Sequence, residues 1–261
     1  MQGTRRPVGI FDSGVGGLSV AREIRRVLPG EDLLYVADTA YCPYGDRALE
    51  EVRARALAVG RYVEGAGAKL VVAACNTASG AALEQLREAL AIPVVGLEPA
   101  VKTGATVTRN GRVGVMATAG TLTSARYARL VREHAHGVEV QPQPCPGLAD
   151  LIEEGHLDDE RLRARLEQFT RPLRDAGVDT VILGCTHYAF VSGPLGRVLG
   201  PGVQLIDSAP AIARRTEHLV GADGSPGTGG LAVLTTGDPQ KVAPVVARLW
   251  GAEVPVGAIE I

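Results

Sequence analysis

Short apolar runs alternate with longer amphipathic stretches along most of the chain. In the first part of the sequence, the apolar runs predict strands at Val8–Phe11, Leu33–Ala37, Val71–Ala74 and Pro93–Leu97. The amphipathic stretches between them predict helices over about 18–28, 48–65 and 81–90. Because strands that alternate with helices form parallel sheets covered by helices, this pattern predicts an α/β fold.

The same pattern restarts near Arg112. It predicts strands at 113–116, 181–183 and 203–206, and helices from about 124 and over 161–176. The distance from the opening strand to a later cysteine is nearly the same in both halves, which indicates an internal duplication. Two such units predict two pseudo-symmetric lobes, each a parallel sheet flanked by helices, with the active site in the cleft between them.

A last apolar run, 231–236, follows a glycine-rich loop over 221–230. This strand must join a sheet, and we expect the chain to return to the first lobe to supply it. We therefore predict a first lobe over residues 1–98 plus 209–261 and a second lobe over residues 99–208.

Composition narrows the class of protein. Of the 261 residues, 46% are hydrophobic and 4% aromatic, and the net charge of −2 gives no reason to expect nucleic acid or a membrane as a partner. The four cysteines lie far apart, without the spacing of a zinc site, so we predict no metal. No apolar run reaches about 18 residues and no signal peptide is recognisable, so we expect a cytoplasmic protein with reduced thiols.

Two segments of the chain look like copies of one another, Val71–Thr77 and Val181–His187. In each, an apolar strand delivers a cysteine and then hydrogen-bonding side chains at its carboxyl end, where ligands bind in open α/β sheets. A lone cysteine is more often a small buried hydrophobe, but the repetition favours a site. The two thiols could face each other across a shared cleft, and a pair of opposed proton-transfer groups is what inversion of a carbon centre requires.

A cysteine thiol has an ordinary pKa of about 8.5, so acid or base side chains must lie beside it if it is to exchange protons near neutral pH. His187, two residues after Cys185, and Asp12, on the first turn, are the candidates. Hydroxyl and amide side chains suited to a zwitterionic small molecule are Ser13, Asn76, Thr77, Thr118, Thr121 and Thr186. For Thr118 and Thr121, helix capping is an equally good interpretation.

The glycine-rich turn 14–17 invites a nucleotide-binding interpretation, but Ser19 stands where the third glycine of the dinucleotide fingerprint belongs. We interpret the turn as backbone N–H groups at a helix start, suited to a carboxylate or a phosphate. None of the three lysines lies in a motif typical of a pyridoxal-phosphate site, so we predict no cofactor.

Taken in order, the motifs resemble those of bacterial glutamate racemases over roughly residues 8–240. The matching segments are 9–20, 38–39, 43–45, 74–79, 117–121, 145–146, 153–155, 183–188 and 206–209. The resemblance implies cofactor-independent interconversion of L- and D-glutamate, which supplies D-glutamate for peptidoglycan, by a protein that is a homodimer.

The resemblance also assigns residues. It implies that Cys75 and Cys185 exchange protons with the α-carbon from opposite faces, with Asp12 assisting the first cysteine and His187 and Glu153 the second. The substrate contacts that it implies are Asp12, Ser13, Tyr44, Gly45, Asn76, Thr77, Thr186 and His187. Cys42 and Cys145 lack this paired context and are interpreted as structural or loop thiols.

Alternatives from two classes stay open. An aspartate or hydantoin racemase, or a related decarboxylase, belongs to the same superfamily; a decarboxylase needs only one of the two cysteines, and aspartate requires a cleft of different depth. A non-catalytic amino-acid-binding protein would explain the hydroxyl-rich cleft but leaves the matched thiols without a role.

Overall fold

The computed structural model describes residues 6–221 and 229–261, and the strands of these residues form two parallel sheets. The strands are β1 (Val8–Asp12), β2 (Leu33–Ala37), β3 (Leu70–Ala73), β4 (Val94–Gly96), β5 (Arg112–Ala117), β6 (Glu139–Pro144), β7 (Thr180–Leu183), β8 (Gln204–Asp207), β9 (Leu231–Thr235) and β10 (Val256–Ala258). Most of the predicted glycine-rich loop, residues 222–228, lies outside the described residues.

The helices follow the strands in chain order. They are α1 (Leu18–Val27), α2 (Leu49–Gly65), α3 (Asn76–Ala89), α4 (Val101–Val107), α5 (Ala119–Leu122), α6 (Ala125–His134), α7 (Leu148–Glu153), α8 (Glu160–Asp175), α9 (Ser192–Leu199), α10 (Ala209–Val220) and α11 (Pro239–Trp250). Short 3-10 helices cover Thr39–Tyr41, Tyr44–Asp46 and Thr186–Val191. Within the described ranges, no helix combines the length and the apolar character needed to cross a membrane.

The first sheet has six strands in the order β10-β9-β2-β1-β3-β4. β1 lies inside it, and Val8 is in register with Leu33 on one side and with Leu70 on the other. All residues of β1 are buried, as expected for a strand covered on both faces. β9 pairs with β2, so the chain returns to the first sheet, as predicted.

The second sheet has four strands in the order β6-β5-β7-β8. Its edge strand β6 was not predicted, because its sequence is polar, partly exposed and contains Pro142 and Pro144. Proline lacks a backbone N–H and is tolerated in a strand at a sheet edge, where no neighbour needs that donor.

Each sheet is covered by helices on both faces. Neighbouring residues of β1 point to opposite faces, so that Ile10 and Phe11 belong to different core clusters. In β5, Val115 and Met116 divide in the same way between the two clusters of the second sheet. The predicted α/β class is thereby confirmed, while the lobe boundaries at 98/99 and 208/209 stay a prediction.

Candidate active site

The two matched cysteines occupy matching positions in the two sheets. Each lies two residues beyond the end of its strand, β3 for Cys75 and β7 for Cys185. Their backbones are nearly superimposable in conformation, with φ −138° and ψ 120° at Cys75 and φ −140° and ψ 135° at Cys185. The matching backbone conformations at the two cysteines agree with the internal duplication that the sequence indicates.

The helix that follows Cys75 begins earlier than predicted. We expected it to start near residue 81, but α3 begins at Asn76, and the Cys75 sulfur caps it by accepting a hydrogen bond from the Ala78 N–H at 3.5 Å. Asn76 and Thr77 look like loop residues in the sequence because both have modest helix propensity, but the first turn of a helix tolerates them. The first turn of α3 therefore fixes the positions of Asn76 and Thr77.

Both thiols line one cavity of about 280 Å³, which also contains every predicted substrate-contact residue. Its walls are formed by Asp12, Ser13, Pro43, Tyr44, Gly45, Cys75, Asn76, Thr77, Thr118, Ala149, Gly184, Cys185, Thr186 and His187. The sequence did not single out Ala149 or Gly184, since small apolar residues carry no chemical signal of their own. Glu153 lies behind His187.

Asp12 joins the two halves of the site. Its carboxylate accepts hydrogen bonds from the Gly17 N–H at 2.6 Å and from the Thr186 hydroxyl at 3.0 Å through the same oxygen, and from the Ser13 N–H at 2.7 Å through the other. Burial raises the pKa of Asp12, although His187 and these hydrogen bonds act in the opposite direction. A carboxyl group in this setting is suited to exchanging a proton with Cys75, with which it interacts.

His187 and Glu153 form the corresponding arrangement beside the second cysteine. His187 Nδ1 lies 3.5 Å from Cys185 Sγ, and Nε2 lies 2.5 Å from Glu153 Oε1. Burial lowers the pKa of His187, but Cys185, Cys42 and Glu153 outweigh this and raise it well above its usual range. The geometry favours a protonated imidazole that can exchange a proton with the Cys185 sulfur.

The two thiols therefore have different electrostatic surroundings. Burial and the adjacent Asp12 raise the pKa of Cys75 well above its usual range, and the Ala78 N–H acts against this. Cys185 faces the imidazole ring of His187 instead. A carboxyl group therefore lies beside one thiol and an imidazole beside the other.

Asn76 has a buried amide whose Nδ2 and Oδ1 find no hydrogen-bond partner among the described residues. An unpaired amide of this kind costs about 1–3 kcal/mol in a protein interior. Because Asn76 lines the cavity, its donor and its acceptor are both placed to bind a polar ligand. This is the clearest sign of a polar ligand site.

Three threonine hydroxyls form a cluster beside the cavity, which Thr77 and Thr118 line and Thr121 does not. Thr77 Oγ1 lies 3.0 Å from Thr118 Oγ1 and 3.2 Å from Thr121 Oγ1. Thr118 also caps α5 by accepting from the Thr121 N–H, so for Thr118 the capping and site interpretations both hold. The cluster connects the start of α3 with the second sheet's half of the site.

Tyr44 lines the cavity, but its hydroxyl group is already used. It donates to the buried carboxylate of Asp38, which also forms an ion pair with Arg55, at 2.8 Å between Arg55 Nη2 and Asp38 Oδ1. Tyr44 can therefore contact a substrate through its ring or its backbone, or through a hydroxyl oxygen that accepts a hydrogen bond. Gly45 lies so close to Thr118 that a Cβ would stand 2.5 Å from the threonine Cβ.

Two N–H groups of the glycine-rich turn already bind carboxylates of the protein itself. The Gly17 N–H donates to Asp12, and the Val15 N–H donates to Glu153 Oε1 at 2.7 Å. The turn therefore binds carboxylates, but these are the protein's own. It positions Asp12, which lies beside Cys75, and Glu153, which lies behind His187.

Cys42 was interpreted as a structural or loop thiol, but in the structure it lies beside two of the predicted site residues. Its sulfur lies within 4.8 Å of ligand atoms of Glu153 and His187. No spacing rule could have found this group, because its members come from three distant segments. Cys145 is buried and donates to the Gln143 carbonyl at 3.4 Å, as expected of a structural thiol.

Fold and site together define a class of enzyme. A model of the family described as Asp/Glu/Hydantoin racemase matches residues 13–216. The chain belongs to this family and is an amino-acid racemase.

The similar proteins have more specific names than the family. The glutamate racemase of Pseudomonas paraeruginosa is 47% identical over 259 residues and is covered over 98% of both chains. Glutamate racemase from Escherichia coli, solved with L-glutamate and an activator, is 33% identical with a TM-score of 0.87 and 97% coverage of both chains. The enzyme from Francisella tularensis, solved with D-glutamate, is 27% identical with a TM-score of 0.85, covering 98% of this chain and 97% of that one. The predicted family resemblance is confirmed.

Proposed function

We propose that this protein interconverts L- and D-glutamate without a cofactor, by proton transfers at the α-carbon from two opposed cysteines. The observation that carries the proposal is the pair of conformationally matched thiols, Cys75 and Cys185, on one cavity, each beside a different acid or base side chain. Relatives named glutamate racemase over nearly the whole chain support glutamate as the substrate.

In the proposed reaction, one cysteine starts as a thiolate and the other as a thiol. The thiolate takes the α-proton, the electron pair of the C–H bond stays on the substrate, and the opposite thiol gives its proton to the other face. The thiol that has donated is now a thiolate, so the enzyme is ready for the reverse direction. Asp12 and His187 restore the starting protonation by exchanging protons with Cys75 and Cys185, respectively.

The α-proton of an amino acid is far less acidic than a thiol, so most of the barrier must be lowered by stabilising the carbanion-like charge on the carboxylate. The unpaired Asn76 amide and the start of α3 are suited to this task. A closed cavity that holds both thiols against the substrate contributes further acceleration.

The experiment that tests the substrate offers each of L-glutamate, D-glutamate and D-aspartate to the enzyme and separates the enantiomers by chiral chromatography. We expect interconversion of the two glutamate enantiomers to an equal mixture, with D-aspartate turned over much more slowly. Faster turnover of D-aspartate would assign the enzyme to the aspartate racemases instead. Binding of glutamate without exchange of its α-hydrogen would favour an amino-acid-binding protein.

The cellular role and assembly belong to the same proposal. A racemase that makes D-glutamate would supply peptidoglycan synthesis, which takes place from cytoplasmic precursors, and we infer a cytoplasmic homodimer. We also infer two lobes, 1–98 with 209–261 and 99–208, supported by the separation of the strands into two sheets. Sedimentation of the purified protein tests the dimer, and a monomer at micromolar concentration would contradict it.

A further inference from the structure

Three side chains with metal-binding atoms meet behind His187. Cys42 Sγ, a carboxylate oxygen of Glu153 and a ring nitrogen of His187 all lie within 4.8 Å of one another. Cys42 precedes the 3-10 helix 44–46, Glu153 ends α7, and His187 lies in the 3-10 helix 186–191. The mechanism proposed above gives Cys42 no task, and the cysteine lies outside the residues that line the cavity.

The donor set is that of a zinc-type site: a thiol, an imidazole and a carboxylate. Ligand atoms around a tetrahedral Zn²⁺ stand about 3.4–3.6 Å apart, given Zn–S of about 2.3 Å and Zn–N and Zn–O of about 2.1 Å. To bind such an ion, His187 Nε2 and Glu153 Oε1, now 2.5 Å apart, would have to separate by about 1 Å. The two most distant ligand atoms of the group would have to approach each other by a similar amount.

The glycine-rich turn holds the three groups together. A Cβ on Gly14 would stand 2.0 Å from Glu153 Oε1 and 2.8 Å from Cys42 Sγ, and a Cβ on Gly16 would stand 2.3 Å from His187 Nδ1. Only glycine permits this approach. The Val15 N–H fixes the Glu153 carboxylate at 2.7 Å, which is the kind of outer hydrogen bond that orients metal ligands.

The group is also accessible. Cys42 is half-buried and the Glu153 side chain is 18% exposed, whereas His187 is buried. Cysteine binds a metal ion as its thiolate, so the Cys42 thiol must lose its proton on binding. A bound cation would take the place of that proton.

We propose that Cys42, Glu153 and His187 bind a thiophilic divalent cation of the Zn²⁺ class, and that its binding inhibits the enzyme. The cation would occupy Nε2 of His187, the nitrogen that faces Glu153, and so replace the proton of the imidazolium. The proton left on Nδ1, 3.5 Å from the Cys185 sulfur, would then be much less acidic than that of an imidazolium, because its loss would leave an imidazolate; His187 would exchange protons with Cys185 far less readily. Inhibition rests on the proposed racemase function, whereas cation binding does not.

The binding test titrates the metal-free protein with Co²⁺ alone and records the absorption of a thiolate–cobalt bond in the near ultraviolet. We expect this band to saturate at one equivalent in the unmodified protein and to be absent in Cys42→Ser and Cys42→Ala. Cys145→Ser is the matched control, because it removes a thiol elsewhere and should keep the band. The absence of a band in the unmodified protein would refute the site.

The inhibition test measures racemisation against ZnCl₂ concentration, with reversal by a chelator. Measured relative to its own activity without metal, Cys42→Ser should need at least about tenfold more Zn²⁺ for half-inhibition, the size of effect usual when a metal site is weakened. Equal sensitivity of Cys42→Ser and the unmodified protein, with the cobalt band retained, would assign the cation to Cys75 and Cys185 and overturn the proposal. A protein that binds Co²⁺ through Cys42 but never racemises glutamate would instead refute the proposed function alone.

Discussion

Replacing Glu153 by glutamine tests whether the carboxylate behind His187 contributes to catalysis through its charge. Glu153 accepts hydrogen bonds from His187 Nε2 at 2.5 Å and from the Val15 N–H at 2.7 Å. The glutamine oxygen can still accept both, so Glu153→Gln keeps the shape of the site and removes one negative charge. The protonated form of His187 loses the stabilisation that helps to raise its pKa.

The size of the effect follows from Coulomb's law. Two unit charges about 4 Å apart interact by about 4 kcal/mol at an effective dielectric constant of about 20. Solvent reaches the Glu153 side chain, which is 18% exposed, and the glutamine dipole replaces part of the interaction. About half of the energy, or about 2 kcal/mol, should therefore be lost, which corresponds to about a 30-fold decrease in rate.

The assay is polarimetry in both directions, starting from L- and from D-glutamate. Because the two enantiomers have equal free energies, kcat/KM must fall equally in both directions whichever cysteine is affected. The position of the defect appears instead in the isotope effect of α-deuterated substrate. It should increase in the direction in which Cys185 removes the deuteron and decrease in the direction in which Cys75 does.

Glu154→Gln is the matched control. Glu154 is the next residue in the chain, but it is 52% exposed and pairs with Arg161 at 3.0 Å on the surface, so its replacement should leave the rate within about twofold. A Glu153→Gln enzyme as fast as this control would refute the role of the charge. Isotope effects that change equally in both directions would refute its assignment to the Cys185 side.

Three further predictions concern the surroundings of the thiols. Thr186→Val removes a hydrogen bond to a buried carboxylate and should slow racemisation at least about tenfold, whereas an unchanged rate in polarimetry would contradict this. Arg55→Ala should lower the free energy of unfolding by about 3–5 kcal/mol in urea because it breaks a buried ion pair, and Arg53→Ala, at an exposed pair, by less than about 1; equal losses would contradict the difference. Since the pKa of His187 is raised, its stabilising contribution is complete below about pH 6.5 and is lost as the pH rises through the raised pKa. The free energy of unfolding should thus fall between about pH 6.5 and 8, a range below the pH at which deprotonation of Cys75 begins to affect stability. It should fall less in His187→Asn, and parallel plots of unfolding free energy against pH for the two proteins would contradict this.

Much of the fold could be predicted from hydrophobic periodicity. β2 was predicted with its observed limits, Leu33–Ala37, because it is an apolar run bounded by polar residues. β6 could not be predicted, because an exposed edge strand has neither an apolar run nor a regular alternation. The start of α3 at Asn76 was missed because its cap is a cysteine sulfur, a group outside the usual capping residues.

Some features of the candidate site could likewise be predicted from the sequence, and others could not. The paired motifs predicted the two cysteines and the polar residues that follow them, because parallel strands bring their carboxyl ends to one edge. Tyr44 and Gly45 were predicted only from the family resemblance, and Ala149 was not predicted. The hydrogen bond between Thr186 and Asp12, and the position of Cys42 beside Glu153, depend on how the two halves of the chain pack together. Contacts between segments so distant in sequence have no local pattern from which they could be predicted.

The central claim is that two cysteines carry out the two proton transfers, and solvent deuterium tests it most directly. In D₂O, proton NMR follows the loss of the α-hydrogen of L-glutamate while chiral analysis follows D-glutamate, for the unmodified enzyme, Cys75→Ser, Cys185→Ser and the control Cys145→Ser. We predict that the unmodified enzyme and the control place deuterium on the α-carbon of the product. Each of the other two variants should racemise at least about a hundredfold more slowly, because a serine hydroxyl is a much weaker acid than a thiol. Near-normal racemisation by either variant would contradict the two-cysteine account.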